Sequence, residues 1–392
     1  MTSFVECSYR FAVDLLQKQM EENSERNIIS CPLGLELGLA TVLLGCKGTT
    51  ADQIRQVLHV SHWTGPETST DIPLLGSRCD KPGGIHKQFQ QLLSTIHHLS
   101  KSYELNIVNR LYGSNICDFK EDYIGCLKEI YNSGLESADF MNATEKVREK
   151  INSWVESRTN GAIKNFYPAN SIDPSSLLVL VNAVNFKGMW RTQFNPKDTH
   201  RAVFWTGKGR SIYVEMMTRE GNFNIANITN PSAKVLKLPC ENEELSLFLI
   251  LPGPKENIDE ITKKLTYKTL QEWTSSENMR EIRIKLCLPK FSVEDTYSMK
   301  PILMGMGVND MFMPGKANLS FISRKPNLFV SDFKFKGCIK ISEDGVHAAA
   351  ASRAEIVRGS NAEVNFNNPF IGILRHNSTG IILLIIRICV PE

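Results

Sequence analysis

Residues 342–360 read Ser342-Glu-Asp-Gly-Val-His-Ala-Ala-Ala-Ala-Ser-Arg-Ala-Glu-Ile-Val-Arg-Gly-Ser360. Local propensity favours a short helix. Asp344 has the chemistry of an N-cap, and Ala348 to Arg358 are mostly good helix formers. The same residues also satisfy a period of two. Val346, Ala348, Ala350, Ser352, Ala354, Ile356 and Arg358 share one face, small and mostly apolar until its last member. His347, Ala349, Ala351, Arg353, Glu355 and Val357 share the other. A strand of that pattern can slide between two existing strands, burying one face and wetting the other. Small side chains lower the steric barrier to entry, and Gly345 at the base can absorb a large backbone change. A segment able to take either form is what a conformational switch requires.

Outward from this stretch, Phe335 to Ile341 has the composition of a strand leading into it. Strand patterns dominate the second half of the chain. Ser176 to Phe186 is a near-continuous apolar run, as expected for a strand buried on both faces. Ser211 to Met217, Ala233 to Leu238, Leu245 to Leu251 and Ile282 to Leu288 read likewise. Phe370 to Leu374 and Ile381 to Cys389 form a closing pair joined by a turn through His376 to Gly380. Tyr267 to Trp273 and Asp295 to Met306 fit short helices. The first 170 residues read as helical: a stripe at Phe11, Leu15 and Leu16, then Pro32 to Leu44, Thr49 to Leu58 with Thr50 as its cap, Ile85 to Leu99, Phe119 to Tyr131 and Thr144 to Arg158. Residues 61–84, rich in Pro, Gly, Ser and Thr, read as an exposed interhelical loop. Helices first, strands after, and no linker between predict one α+β unit over residues 1–392.

The 392 residues carry 45 Lys plus Arg against 42 Asp plus Glu, a net charge of +3. So small an excess argues against nucleic acid or an anionic membrane as the main partner. The ten cysteines are scattered, none in a C-x-x-C pair, which favours buried reduced thiols over a disulfide framework. Met1 to Met20 lacks the pattern of a cleavable signal peptide, and no apolar run is long enough to span a bilayer. Sequons begin at Asn142, Asn227, Asn318 and Asn377 and matter only in an exported chain. There is no G-x-S-x-G elbow, H-E-x-x-H or phosphate-binding loop. Gly305-Met306-Gly307 reads as a helix end, and the adjacent His97 and His98 make a poor metal clamp. Enzyme chemistry and a cofactor are therefore not expected.

The chain resembles the serpins, and among them the ovalbumin-type, clade B, intracellular group. The resemblance runs nearly end to end, through Asn27-Ile-Ile-Ser-Cys-Pro32, Leu43-Leu-Gly45, Leu178-Val-Leu-Val-Asn-Ala183 and Phe186-Lys-Gly-Met-Trp190. It continues through Val214-Glu-Met-Met217, Leu238-Pro239, Leu251-Pro252, Leu288-Pro-Lys-Phe291, Glu343-Asp-Gly345 with its alanine run, Pro369-Phe370 and Arg375-His-Asn377. It implies about nine helices packed on three β-sheets, with a large central sheet and an exposed reactive-centre loop at residues 343–362. It implies a suicide substrate for a serine protease, or a cysteine protease. The protease cuts the loop and is held as an acyl-enzyme while the loop's N-terminal part enters the central sheet. Such a native state is kinetically stored strain.

Counting forward from Gly345 puts the cut at Gly359–Ser360; counting back from Pro369 puts it at Arg358–Gly359. A guanidinium suits the acidic floor of a trypsin-like pocket, which favours Arg358 as the recognised side chain. A sheet-opening cluster is implied at Cys31, Gly34, Asn182 and Phe335. Family members more often have Ser, Ser and His at the first, second and fourth of these, so only Asn182 keeps its usual identity. An Asn182 left without partners would cost about 1–3 kcal/mol. Val346 stands where Thr is usual, His347 where Glu is common, Ile386 where Gly is common and Asn368 where many have His. These departures bear on inhibition and leave a serpin-fold binding or chaperone-like protein as the alternative. The resemblance further implies a monomer, cytoplasmic, with unconventional export open to it.

Overall fold

The computed structural model describes residues 3–22, 25–63, 79, 84–97, 104–187, 190–207, 209–241, 243–343 and 362–391. Its helices are α1 (Phe4–Glu22), α2 (Pro32–Leu43), α3 (Gly48–Val57), α4 (Ile85–His97), α5 (Glu121–Tyr131), α6 (Thr144–Arg158), α7 (Ile258–Lys264), α8 (Tyr267–Trp273) and α9 (Met299–Met306). The strands are β1 (Ile28–Ser30), β2 (Glu104–Ser114), β3 (Leu135–Ala138), β4 (Leu178–Lys187), β5 (His200–Gly207), β6 (Arg210–Thr229) and β7 (Ser232–Pro239). The rest are β8 (Leu245–Pro252), β9 (Arg280–Pro289), β10 (Phe291–Ser298), β11 (Asp332–Ile341), β12 (Glu363–Asn365), β13 (Phe370–His376) and β14 (Ile382–Ile388).

Five strands, β10-β11-β4-β2-β3, form the central sheet. Nine form the other, in the order β1-β14-β13-β8-β7-β6-β9-β12 with β5 on β6. Two of the three expected sheets are thus continuous, and β6 is the reason. This 20-residue strand pairs β5 along its start, β9 along its middle and β7 at its end.

The two sheets enclose α2, which packs on β4 and β2 of one and β14 of the other. Every residue of α2 is buried, as an apolar helix with no solvent face must be, and Pro32 starts it where no backbone donor is needed. A second apolar layer covers the outer face of the central sheet. There α6 and the segment after it place Val147, Ile151, Val155, Phe166 and Tyr167 over Val179, Val181 and Ala183. Among the described residues no helix is long and apolar enough to cross a membrane.

Several local expectations need correction. Asp295 to Ser298 belongs to β10, not to a helix; alternate residues Phe291 and Val293 are buried and those between them exposed, the period of an edge strand. Residues 104–114 form β2 within a region read as helical. Thr50 does not cap α3, whose N-cap is Lys47; its hydroxyl instead accepts from Asn318 N at 3.0 Å. Gly307 ends α9 as expected, at φ 112° where a side chain would be strained. Not all thiols are free: Cys79 and Cys126 are bridged, with Cα atoms 5.2 Å apart. Their separation by 47 residues hides the pairing from any local reading. Ser61–Trp63 is a short 3-10 turn; residues 64–78 and 80–83 of the expected loop, and His98, lie outside the described residues.

Candidate functional site

The site is a seam with a root at its end. β4 and β11 lie side by side, parallel, in register from Asp332↔Val179 to Lys340↔Lys187. No strand stands between them. The chain leaves β11 at Ile341 and within two residues enters residues 344–361, which are outside the described set. A chain turning back from β11 would run antiparallel to both seam strands, replacing one parallel ladder with two antiparallel ones.

The root is fastened on three sides. Trp190 Nε1 donates to Ser342 O at 2.9 Å. Glu343, almost fully buried, pairs with Lys290 Nζ at 2.8 Å and accepts from Thr199 Oγ1 at 2.9 Å. Burial alone would raise the Glu343 carboxyl. Lys290, the backbone N–H and Thr199 outweigh that and hold it below its ordinary value.

Midway along the seam the expected cluster assembles. Phe335 on β11 is the register partner of Asn182 on β4, and both are fully buried. Gly34, in the first turn of α2, lies beneath them. A Cβ at Gly34 would stand 2.8 Å from Asn182 Nδ2 and 3.0 Å from Cys31 Sγ, so the backbone of α2 approaches the sheet where other side chains would block it. Burial pushes the Cys31 thiol up to about 12, which keeps it un-ionised.

Asn182 is not left alone. Its Nδ2 donates to Asn109 Oδ1 on β2 at 2.5 Å, while its Oδ1 has no donor among the described residues. Phe335 stacks on Tyr297 of β10, ring centroids 6.1 Å apart. An apolar stack therefore fills the β11 side of the cluster, and a side-chain hydrogen bond survives on the β2 side. The Ile386 departure is also accommodated: it packs over Gly372 of β13, where a Cβ would come within 2.7 Å of its Cγ1.

On the outer face, two bonds strap the segment after α6 to β11. Tyr167 OH donates to Asp332 at 2.7 Å, and Lys336 Nζ donates to Lys164 O at 2.8 Å. An entering strand must pass under this cover.

Cys31, Gly34, Asn182 and Phe335 thus lie together at one point of the seam. Gly345, Val346, Ala348, Ala350, Ser352, Ala354, Ile356, Arg358, Gly359 and Ser360 all lie outside the described residues. Sequence reasoning missed Asn109, Tyr297, Lys290 and Thr199. No local pattern marks them, since each acts through a partner at least 38 residues away in the chain or on another strand.

Comparison with known proteins agrees with this geometry. The family model described as Serpin (serine protease inhibitor) matches residues 6–391. Serpin B3 of Homo sapiens is 39% identical over 396 residues and Serpin B4 of Homo sapiens 38% over 395, each alignment covering 100% of both chains. Among solved structures, uncleaved ovalbumin superposes with a TM-score of 0.87 at 30% identity, covering 99% of this chain and 100% of that one. A tumour suppressing serpin superposes at 0.86 with 28% identity, covering 100% of both. With a parallel β4–β11 seam, a fastened root and full-length similarity all in agreement, the chain belongs to the serpin family of protease inhibitors, in its ovalbumin-type clade B.

Proposed function

We propose that this serpin inhibits a trypsin-like serine protease by loop cleavage and insertion, with Arg358 as the recognised side chain. The observation that carries the reading is the bare parallel seam between β4 and β11, fed directly by the loop. The protease serine Oγ attacks the carbonyl carbon of the residue before the cut. The peptide C–N bond breaks, the proton of the serine passes to the departing amine, and an ester joins the two proteins. The freed N-terminal part of the loop then enters the seam with Val346, Ala348, Ala350, Ser352, Ala354 and Ile356 facing α2. Gly345 turns the chain. The bond cut is Arg358–Gly359, with Gly359–Ser360 as the neighbouring option. Residues 1–392 act as one monomeric domain, in the cytoplasm.

The test is an SDS gel against a panel of trypsin-like proteases, with mass spectrometry locating the cut. An SDS-resistant adduct and a cut at 358 or 359 are expected. Cleaved protein with no adduct would sink inhibition. A second reading, a serpin-fold binding protein without inhibition, draws on the unmatched Oδ1 of Asn182 and the apolar ring at Phe335. Its mark would be loop cleavage with no rise in melting temperature.

A further inference from the structure

The outer face of β11 carries Asp332, Lys334, Lys336, Cys338 and Lys340, the alternate residues that look toward the layer of α6. The first three are tied down. Asp332 accepts from Tyr167 OH, and Lys334 Nζ stands 4.1 Å from the centroid of the Tyr167 ring. Lys336 is buried; it pairs with Glu294 Oε1 on β10 at 2.7 Å and donates to Lys164 O. Lys340, the last of the row, is exposed and forms no ion pair with any described residue.

Across the parallel ladder its register partner is Lys187, the last residue of β4. Lys187 lies on the face of Val179, Val181 and Ala183, so both lysines project on the same side of the sheet. It too is exposed and without an ion pair to a described residue. Neighbouring strands stand about 4.8 Å apart, so two ammonium groups share one rung of the seam, at the end where the chain leaves for the loop. The surrounding charges do not bridge them. Ser292 flanks Lys340 on β10. Glu104 flanks Lys187 on β2, where its Oε1 accepts from Asn185 Nδ2 and Asn160 Nδ2, both at 3.1 Å. Its charge draws Lys187 toward β2, away from β11. Glu294 is taken by Lys336, and Glu343 by Lys290.

We propose that Lys187 and Lys340 form a repulsive rung that weakens the β4–β11 ladder at its loop end, so that the seam parts there in a way that depends on ionic strength. Like charges directly opposite on neighbouring strands oppose the pairing, by Coulomb repulsion over a few ångströms. Because both groups are exposed, dissolved salt screens them over about 10 Å at 0.1 M. Lower on the same face, the contacts of Asp332, Lys334 and Lys336 are attractive and covered. The inference bears on the insertion proposed above, but it rests only on the register and side chains of β2, β4, β10 and β11.

Amide hydrogen exchange on the intact protein, read by mass spectrometry, tests it. Fragments over residues 184–187 and 338–341 report the loop end of the seam, and fragments over 179–182 and 332–335 serve as the reference within the same molecule. Raising salt from about 20 mM to about 500 mM should slow exchange at the loop end relative to the reference. Lys340→Glu turns repulsion into attraction. It should slow the loop end by about threefold to tenfold at low salt and reverse the sign of the salt response. Lys340→Gln should fall between the two and lose most of that response. The position is exposed, so both variants should fold. A ratio that ignores salt and is the same in all three proteins would overturn the rung. So would equal slowing by Gln and Glu at both salt concentrations, because shape rather than charge would then be the cause. Exchange that responds as expected, with no protease adduct formed, leaves the rung standing and removes inhibition. Adduct formation with a loop end indifferent to charge does the reverse.

Discussion

Asn182 on β4 and Phe335 on β11 are register partners across the parallel seam, and no hydrogen bond joins their side chains. The seam at this point is closed by backbone pairing; the Phe335–Tyr297 stack lies on the far side of β11, and Asn182 Nδ2 donates away from the seam, to Asn109 Oδ1 at 2.5 Å and Val108 O at 3.5 Å on β2. Opening the sheet here breaks the backbone ladder between β4 and β11 but no side-chain hydrogen bond between Asn182 and Phe335.

That arrangement makes Gly34 hard to replace. A serine there, the residue more usual in the family, would put its Cβ 2.8 Å from Asn182 Nδ2, a group already committed to Asn109. Gly34→Ser should lower stability by about 1–3 kcal/mol, the ordinary cost of overpacking a tight core. Chemical denaturation of both proteins checks it. An unchanged midpoint would mean that the space beneath the seam is larger than the backbone indicates.

The parts of this site that could be read in the sequence are those with a local cause. β4 was legible because burial on both faces leaves a run of apolar residues. Asn182 and its neighbours were legible only through resemblance, as the resemblance placed four distant residues at one point. β10 was not, because Asp295 and Ser298 lie on an edge strand whose solvent face carries no apolar signal. Asn109 was not, since a polar residue in an ordinary strand becomes a partner only when β2 meets β4. The same holds for Cys79 and Cys126, whose pairing exists only in the folded chain.

At the root, Lys290→Met removes the partner of a nearly buried carboxylate. Lys290 itself is 43% exposed, so the loss should be modest, about 1 kcal/mol. The readout is the rate at which the intact protein loses inhibitory activity on mild heating, which should rise as the root loosens. The pH dependence has a fixed sign. Glu343 is held below its ordinary value, so its contribution is present above the unfolded carboxylate value and is lost as pH falls through the lower folded one. The gap between wild type and variant should therefore close in acid, below about pH 4. A gap that widens there would contradict the assignment.

Glu36 has the opposite sign. It sits fully inside α2, where Ser8 Oγ donates to its Oε2 at 3.1 Å, and burial raises the carboxyl to about 7. The folded chain thus binds a proton that the unfolded chain releases near pH 4.5, and stability falls as pH rises from there to about 7. Glu36→Gln keeps an acceptor for Ser8 and removes the charge. It should raise stability at pH 8 by on the order of 2–3 kcal/mol and leave it unchanged at pH 4. Melting curves at the two pH values decide, and an equal effect at both would show that packing, not ionisation, is responsible.

Insertion can be tested without touching the residues near the cut. Ala350 belongs to the face that would turn toward α2, against the apolar core beneath β4 and β11. An arginine there would be buried without a partner, a cost of several kcal/mol that the new strand would have to overcome. Slower insertion gives the protease time to hydrolyse the ester, so Ala350→Arg should behave as a substrate: cut at the same bond, with little adduct and no rise in melting temperature. Ala349→Arg is the control. Its side chain would face the other way, near the exposed ends of the seam at Lys187 and Lys340, and adduct formation should persist. If both variants inhibit like the wild type, the loop does not enter the seam with the alternation assigned here. If both become substrates, bulk rather than facing is what the seam rejects.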